Sequence, residues 1–376
     1  MCCFFATLIK KNLKIYFKST NFLKKTLKTP HSYEYLIERI TMNNLKKVGL
    51  SALAGSMVLT SAQAFEPSVS VESQVVYSSA QGNENASEAK NGKGIGVDND
   101  IAFSGSGELD NGFTVSVSHV LNTNDTVTNS SSQLAVGIGS FGTIQINAHG
   151  GNATNAIDDI LPKAYEEPWD GTVGTSEFNN FGSELQNGSI TYKLPAIEMM
   201  GASISAAVDY DPNANVDAPS PGGVGTDGAS GEGFVVKIAH ESGLTIGGGA
   251  TKVGNTDARV GESGATGYIQ YSNGPLTVAY QEFYHNEAAG AADSDGDGYA
   301  LAYTAGDMTF SYSVQNEQTN ARGATAALEE EEMSAIQAAY SMGGMTLAAS
   351  LYESENVEGV AAVKYEETEL SVSFAF

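Results

Sequence analysis

Asp293, Asp295 and Asp297 stand two residues apart and are followed by Gly298, a spacing that suggests coordination chemistry. Alternating Asp side chains ahead of a glycine open the loop that wraps a calcium ion, because hard oxygen donors suit a hard cation. The twelfth position of such a loop would be Thr304, where a bidentate Glu is needed. Strands rather than helices are expected on both sides, so an EF-hand is excluded. Two readings are left for an external loop here: weak calcium binding through the three Asp, or a solvated acidic loop with no further role. Glu329 to Glu332, four acids in a row, reads most simply as a solvated loop edge. Divalent bridging to lipid headgroups is the sharper alternative there.

Catalytic patterns are missing. His119, His149, His240 and His285 are scattered singly, without metal-ligand spacing. There is no Gly-x-Ser-x-Gly and no Walker loop, and both cysteines, Cys2 and Cys3, lie at the extreme amino end. No enzyme is expected, and no cofactor beyond calcium in an external loop.

The chain carries 19 Lys and Arg against 44 Asp and Glu, a formal charge of −25. Ten of those bases but only two of the acids, Glu34 and Glu38, precede residue 65, which leaves 9 − 42 = −33 beyond it. Such a surface repels polynucleotide phosphates, so nucleic acid is excluded as a partner. With 41 % hydrophobic residues the same charge does not indicate disorder.

The elements that must position any such chemistry begin with an export signal. Met42 opens a run with Lys46 and Lys47, an apolar stretch from Val48 to Thr60, and an Ala62-Gln63-Ala64 cleavage site. The apolar run is shorter than the ~20 residues a spanning helix needs. Residues 42–64 are therefore read as a signal peptide, 1–41 as a mis-assigned upstream extension (the plainer alternative being a longer, basic n-region), and 65–376 as the mature domain.

Beyond the signal, a two-residue period recurs. Phe113, Val115 and Val117 alternate with Thr114, Ser116 and Ser118; Met308, Phe310, Tyr312 and Val314 alternate with Thr309, Ser311 and Ser313. Successive strand side chains face opposite ways, so each run has one apolar and one polar or small face. Tight turn signals such as Asp110-Asn111-Gly112, Asn273-Gly274-Pro275 and Met342-Gly343-Gly344 join the runs in pairs. Long polar stretches, such as 80–93, 211–232, 286–297 and 318–331, separate the pairs. About sixteen strands are expected, at 66–79, 95–108, 112–122, 132–140, 141–149, 186–195, 200–210, 232–241, 244–252, 264–272, 275–285, 298–305, 307–317, 333–342, 345–356 and 362–376. Short turns at one end and long loops at the other are the asymmetry of a transmembrane antiparallel β-barrel. The final strand ends Leu370, Val372, Phe374, Phe376 on one face, which suits an aromatic girdle at a membrane interface.

The signal 42–64, the turns Glu108–Phe113 and Gly139–Thr143, and the ending Leu370–Phe376 together resemble the general bacterial porins, especially the alphaproteobacterial type. The resemblance implies an outer-membrane homotrimer of sixteen-stranded barrels among lipid and lipopolysaccharide, passing small hydrophilic solutes and ions by passive diffusion. It also implies that Phe376 is the assembly signal read by the barrel-assembly machinery. Family members fold the third long loop into the lumen. Here that is the interruption 150–184, with Asp158, Asp159, Lys163, Glu166, Glu167, Trp169, Asp170 and Glu177. Asp158, Asp159, Lys163, Glu166, Glu167 and Asp170 are the expected constriction; a solvated loop touching no ion is the plainer alternative. The family usually opposes such acids with wall arginines, but beyond residue 64 only Arg259 and Arg322 occur, both in expected loops. Lys193, Lys237 and Lys252 are the basic candidates on strands, and cation preference is expected. The rival from another class is an exported calcium-binding adhesin or surface-layer protein, built as a soluble β-sandwich.

Overall fold

Extended backbone dominates because β-branched and aromatic side chains recur at every second position, where a pleated strand can bury or expose them as one face. The computed structural model describes residues 66–82, 91–124, 126–171, 180–214, 229–254, 261–286, 293–320 and 328–376. The expected extension 1–41 and signal 42–64 lie outside the described residues, as do Glu177, Arg259 and Arg322.

The strands are β1 (Glu66–Gly82), β2 (Gly92–Glu108), β3 (Thr114–Asn122), β4 (Thr128–Gly137), β5 (Thr143–His149), β6 (Ser189–Lys193), β7 (Ile197–Met199), β8 (Ala202–Ala214) and β9 (Ala229–His240). They continue as β10 (Leu244–Val253), β11 (Ser263–Asn273), β12 (Leu276–Asn286), β13 (Asp293–Ala305), β14 (Met308–Asn320), β15 (Glu331–Met342), β16 (Met345–Glu355) and β17 (Lys364–Ala375). All the pairings are antiparallel, and β17 returns to β1, so the sheet closes on itself. β6 and β7 share one place. Both run along β8, with Lys193 opposite Ala207 and Ile197 opposite Ile204. Pro195 between them has no N–H to give a ladder and interrupts the strand. The 17 strands thus fill 17 − 1 = 16 positions, the expected number.

The expected turns close as read. Gly343, for example, sits at φ 69° in the two-residue turn between β15 and β16, a conformation that favours glycine. Two stretches differ from the sequence reading. The expected strand 186–195 is cut to β6. The supposed acidic loop at Asp293–Asp297 is strand: it is the start of β13, paired with β12 on one side and β14 on the other. A thirteen-residue strand outruns the ~9–11 residues that cross a bilayer, so its polar end extends past the apolar zone.

Polarity is inverted relative to a soluble protein. Phe234, Ile238, Ile269, Leu301 and Tyr312 are exposed, while Gln281, Ser313, Gln315 and Ser350 are buried. An apolar outer face on a closed barrel suits lipid and overturns the soluble β-sandwich. Phe376 lies on that outer face beside Phe374, ring centroids 6.2 Å apart and stacked. Its backbone exchanges hydrogen bonds with Val71 of 2.9 and 3.1 Å. Much of the buried apolar packing lies inside, where residues 150–188, the third long loop (L3), meet the wall. Ile157 and Phe181 pack with Val235 and Tyr268, and Leu161 with Ala279 and Ala300.

Candidate functional site

L3 leaves β5, enters the barrel and runs along the inner side of β9 to β17. Its backbone cannot form a ladder there, so its polar groups need side-chain partners. Glutamines supply them. Gln281 on β12 donates to the carbonyls of Ile157 (3.0 Å) and Asp158 (2.8 Å), and its own oxygen accepts from Ile160 N–H at 2.9 Å. Gln337 on β15 accepts from Tyr165 N–H at 3.0 Å and donates to the Glu166 carbonyl. Ser311 on β14 accepts from Ala164 N–H at 2.9 Å, and Gln74 on β1 donates to the Tyr165 hydroxyl at 2.8 Å. Gln281 and Gln315 are 0 % exposed and Gln337 only 2 %. Further on, Gly171 lies flat against the Tyr352 ring of β16; a Cβ there would fall 1.9 Å from a ring carbon.

The root of the loop is pinned differently. Asp209, inward on β8, accepts hydrogen bonds from Ala153 N–H, Thr154 N–H and the Thr154 hydroxyl at 3.1, 2.8 and 2.8 Å, and from the Thr191 hydroxyl. Asn152 then ties the outgoing limb to the returning one through the Gly182 carbonyl, 2.8 Å away.

L3 brings together the carboxylates expected at the constriction and sorts them by what they touch. Asp159 accepts from Gln315 on the wall at 3.1 Å and from Leu161 N–H at 2.8 Å, so it is spent on anchoring. Glu167 pairs with Lys163, four residues back along the loop. Asp158 is half-buried, accepting from Asn155 at 3.1 Å and from Asp159 N–H at 2.7 Å. Glu166 is also half-buried, and Asp170 is exposed at the end of the 3₁₀ turn Pro168–Gly171. Burial pushes Asp158 up to about 7, with the Asp159 charge adding to it and Lys163 opposing it. Burial, then the charges of Asp170 and Glu369, push Glu166 up to about 7. Asp170, although its side chain reaches water, is desolvated by the protein around it and rises to about 6, against the pull of Lys163. These three therefore change charge close to neutral pH.

Across the lumen, β1, β4 and β5 touch the loop through Gln74, Gln133 and Gln145, while stretches of β1 to β3 stay open. Their inward positions carry Glu72, Asp98 and Asp100 among short serines, such as Ser68 and Ser104, whose hydroxyls meet at 2.6 Å. Two of the three candidate lysines face inward. Lys193 donates to Gln145 at 2.9 Å, and Lys193 and Lys237 line one recess of about 490 Å³ beside the root of L3. Lys252 corrects the reading. It alternates with buried Thr251 and Val253, so it points outward, opposite Glu232 of β9.

Asp293, Asp295 and Asp297 also face outward, alternating with inward Ser294 and Gly296. Extended backbone spaces them ~6.6 Å apart along the strand, so they cannot wrap one ion as a loop would. Among the described residues, no three His, Cys, Asp or Glu come together as a metal site.

The glutamines and Asp209 are the functional residues that sequence reading missed. Their signal is a long amide or acid at an inward register whose neighbours are small, as Gln337 between Ala335 and Ala339.

A family model for Gram-negative porins matches residues 49–359. The chain belongs to the Gram-negative porin family. The porin fold is shared with solved structures of low identity. Salmonella typhi OmpF, in a complex with daunomycin, superposes with a TM-score of 0.56 at 11 % identity, over 82 % of this chain and 98 % of that one. A loop-deletion mutant of OmpT, an outer-membrane protein of Vibrio cholerae, gives 0.55 at 11 %, over 82 % and 99 %. A mutant of Rh. blastica porin gives 0.51 at 13 %, over 82 % and 100 %. No curated protein matches this sequence. Family and fold together locate this porin in the outer membrane as a channel protein.

Proposed function

We propose that this porin is a water-filled channel for passive diffusion of small hydrophilic solutes and ions, and that it prefers cations. The observation that carries the preference is that acids face the narrowed lumen from both sides. L3 brings Asp158, Glu166 and Asp170 to one side. Among the described residues of β1 to β5, the inward positions opposite carry acids and no Lys or Arg. A carboxylate-lined opening attracts cations and repels anions. Reversal potentials of single channels in a salt gradient test this: a cation-selective sign is expected, and an anion-selective one overturns it.

The outer face supports a homotrimer. Outward positions of β8 to β17 are rich in Tyr and Phe, including Tyr210, Phe234, Tyr280, Tyr299, Tyr312 and Phe374. Those of β1 to β5 are mainly Val, Ile and Leu, and they include a polar pair in which Ser73 donates to Asn99 at 2.6 Å. Aromatic girdles suit lipid interfaces, whereas an outward polar pair suits contact with protein. The remaining wall would lie in lipid and lipopolysaccharide, after export on the 42–64 signal and insertion by the barrel-assembly machinery reading Phe376.

A further inference from the structure

The bore of such a channel depends on where L3 is held, and the two ends of that hold are chemically unlike. Along β11, β12 and β15 the wall offers neutral amides, each bonding one or a few backbone groups. At the root it offers a carboxylate. Asp209 is 2 % exposed and takes four donors, three of them from Ala153 and Thr154. Bonds to an ionised acceptor are roughly twice as strong as neutral ones, and a buried carboxylate left unpaired is costly. The fourth donor, Thr191, fixes the carboxylate itself. Thr191 in turn accepts from Asn147 at 2.8 Å, Asn147 accepts from Gln145 at 2.6 Å, and Gln145 donates to the Gly151 carbonyl at 2.7 Å. Lys193 donates to the same Gln145. The relay crosses β5, β6 and β8 and meets the loop at Gly151, Ala153 and Thr154. The turn that aims L3 across the lumen is thereby set by the wall.

We propose that Asp209 is a positioning residue that fixes the root of L3 and so sets the calibre of the channel, an inference that rests on the diffusion-channel reading above. Asp209→Asn keeps the size but turns one acceptor oxygen into an NH₂ donor, which then faces the donors of residues 153 and 154. Thr154→Val keeps the shape and leaves both backbone donors to Asp209 in place, removing only what the hydroxyl makes, its bond to Asp209 and the one it accepts from Asn152 at 3.0 Å. Both variants are measured in planar bilayers, with heat-modifiable gel migration as the control for barrel assembly. D209N is expected to assemble and to raise single-channel conductance by about 1.5-fold or more, with greater open-channel noise and faster liposome swelling by larger sugars. T154V should shift all three in the same direction by less. A purely structural role would lower the yield of assembled barrel and leave the conductance of each channel unchanged. Assembled D209N with wild-type conductance and noise overturns the proposal. If D209N does not assemble, T154V decides: raised noise supports the proposal and a wild-type trace overturns it. A wild-type barrel that conducts nothing would instead defeat the channel reading itself.

Discussion

The wall formed by β1 to β4 and the wall formed by β11 to β16 follow the same rule, polar or small inward and apolar outward, yet they do different work. On the first wall, Ser68, Ser104 and Asp98 meet the open lumen. On the second, Gln281, Ser311, Gln315 and Gln337 are sealed under L3 and satisfy its side chains and backbone. Alternation fixes only which way a side chain points. Its length and bonding capacity decide whether the lumen side of a strand stays wet or takes on a loop. A substitution should therefore have consequences set by its wall rather than by its residue type.

The sharpest way to break that contrast uses glycine. At Gly171 a new Cβ would meet the Tyr352 ring, whereas at Gly96 on β2 nothing lies within 4 Å. Gly171→Val should displace the loop against β16 at a cost of about 1–3 kcal/mol and change single-channel conductance clearly. Gly96→Val should leave the trace within error. Equal effects at both sites would remove the distinction between the walls.

A middle-sized effect is expected from adding charge. Ser104→Arg places a cation on the open wall facing the acids of L3. The cation-to-anion permeability ratio should fall by about two- to fivefold at 0.1 M salt and much less at 1 M, where the Debye length is ~3 Å. The same change at Ser313, 1 % exposed on β14, buries the charge and should cost barrel assembly instead.

The smallest effect is the pH response. Asp158 and Glu166, raised to about 7, and Asp170, raised to about 6, are charged above those values and neutral below them. From pH 8 to pH 5 the covered side therefore loses negative charge, and cation preference should weaken gradually. Reversal potentials across that range measure it; a preference that grew on acidification would place the selective charge elsewhere.

Much of the barrel was legible because its signals are local. The turn at Gly343 and the alternation through Phe310 and Tyr312 depend on neighbours in sequence, and they were read correctly. The start of β13 was not, because Asp, Ser and Gly there have loop composition; strand forms because β12 and β14 flank it beyond the apolar zone, where water tolerates acids. Lys252 was grouped with the inward lysines because basic character does not report parity; only the register against β9 does. Asp209 was invisible for another reason. Its partner Thr154 is 55 residues away, and a lone acid in a strand carries no mark of a distant loop.

The seam between β1 and β17 has a kinetic consequence. Other neighbouring strands lie close together in the sequence, but Gln74 and Ser371, bonded across the seam, are 297 residues apart. Hairpins form on local encounter, whereas joining such distant segments must overcome a loop entropy that grows as ~(3/2)RT ln n before any pairing rewards it. The rest of the sheet can zip up hairpin by hairpin; the cylinder exists only after its two ends meet. Weakening Val71, Val372 or Phe374 should therefore slow closure more than it loosens the finished barrel, leaving an open sheet as the species that accumulates.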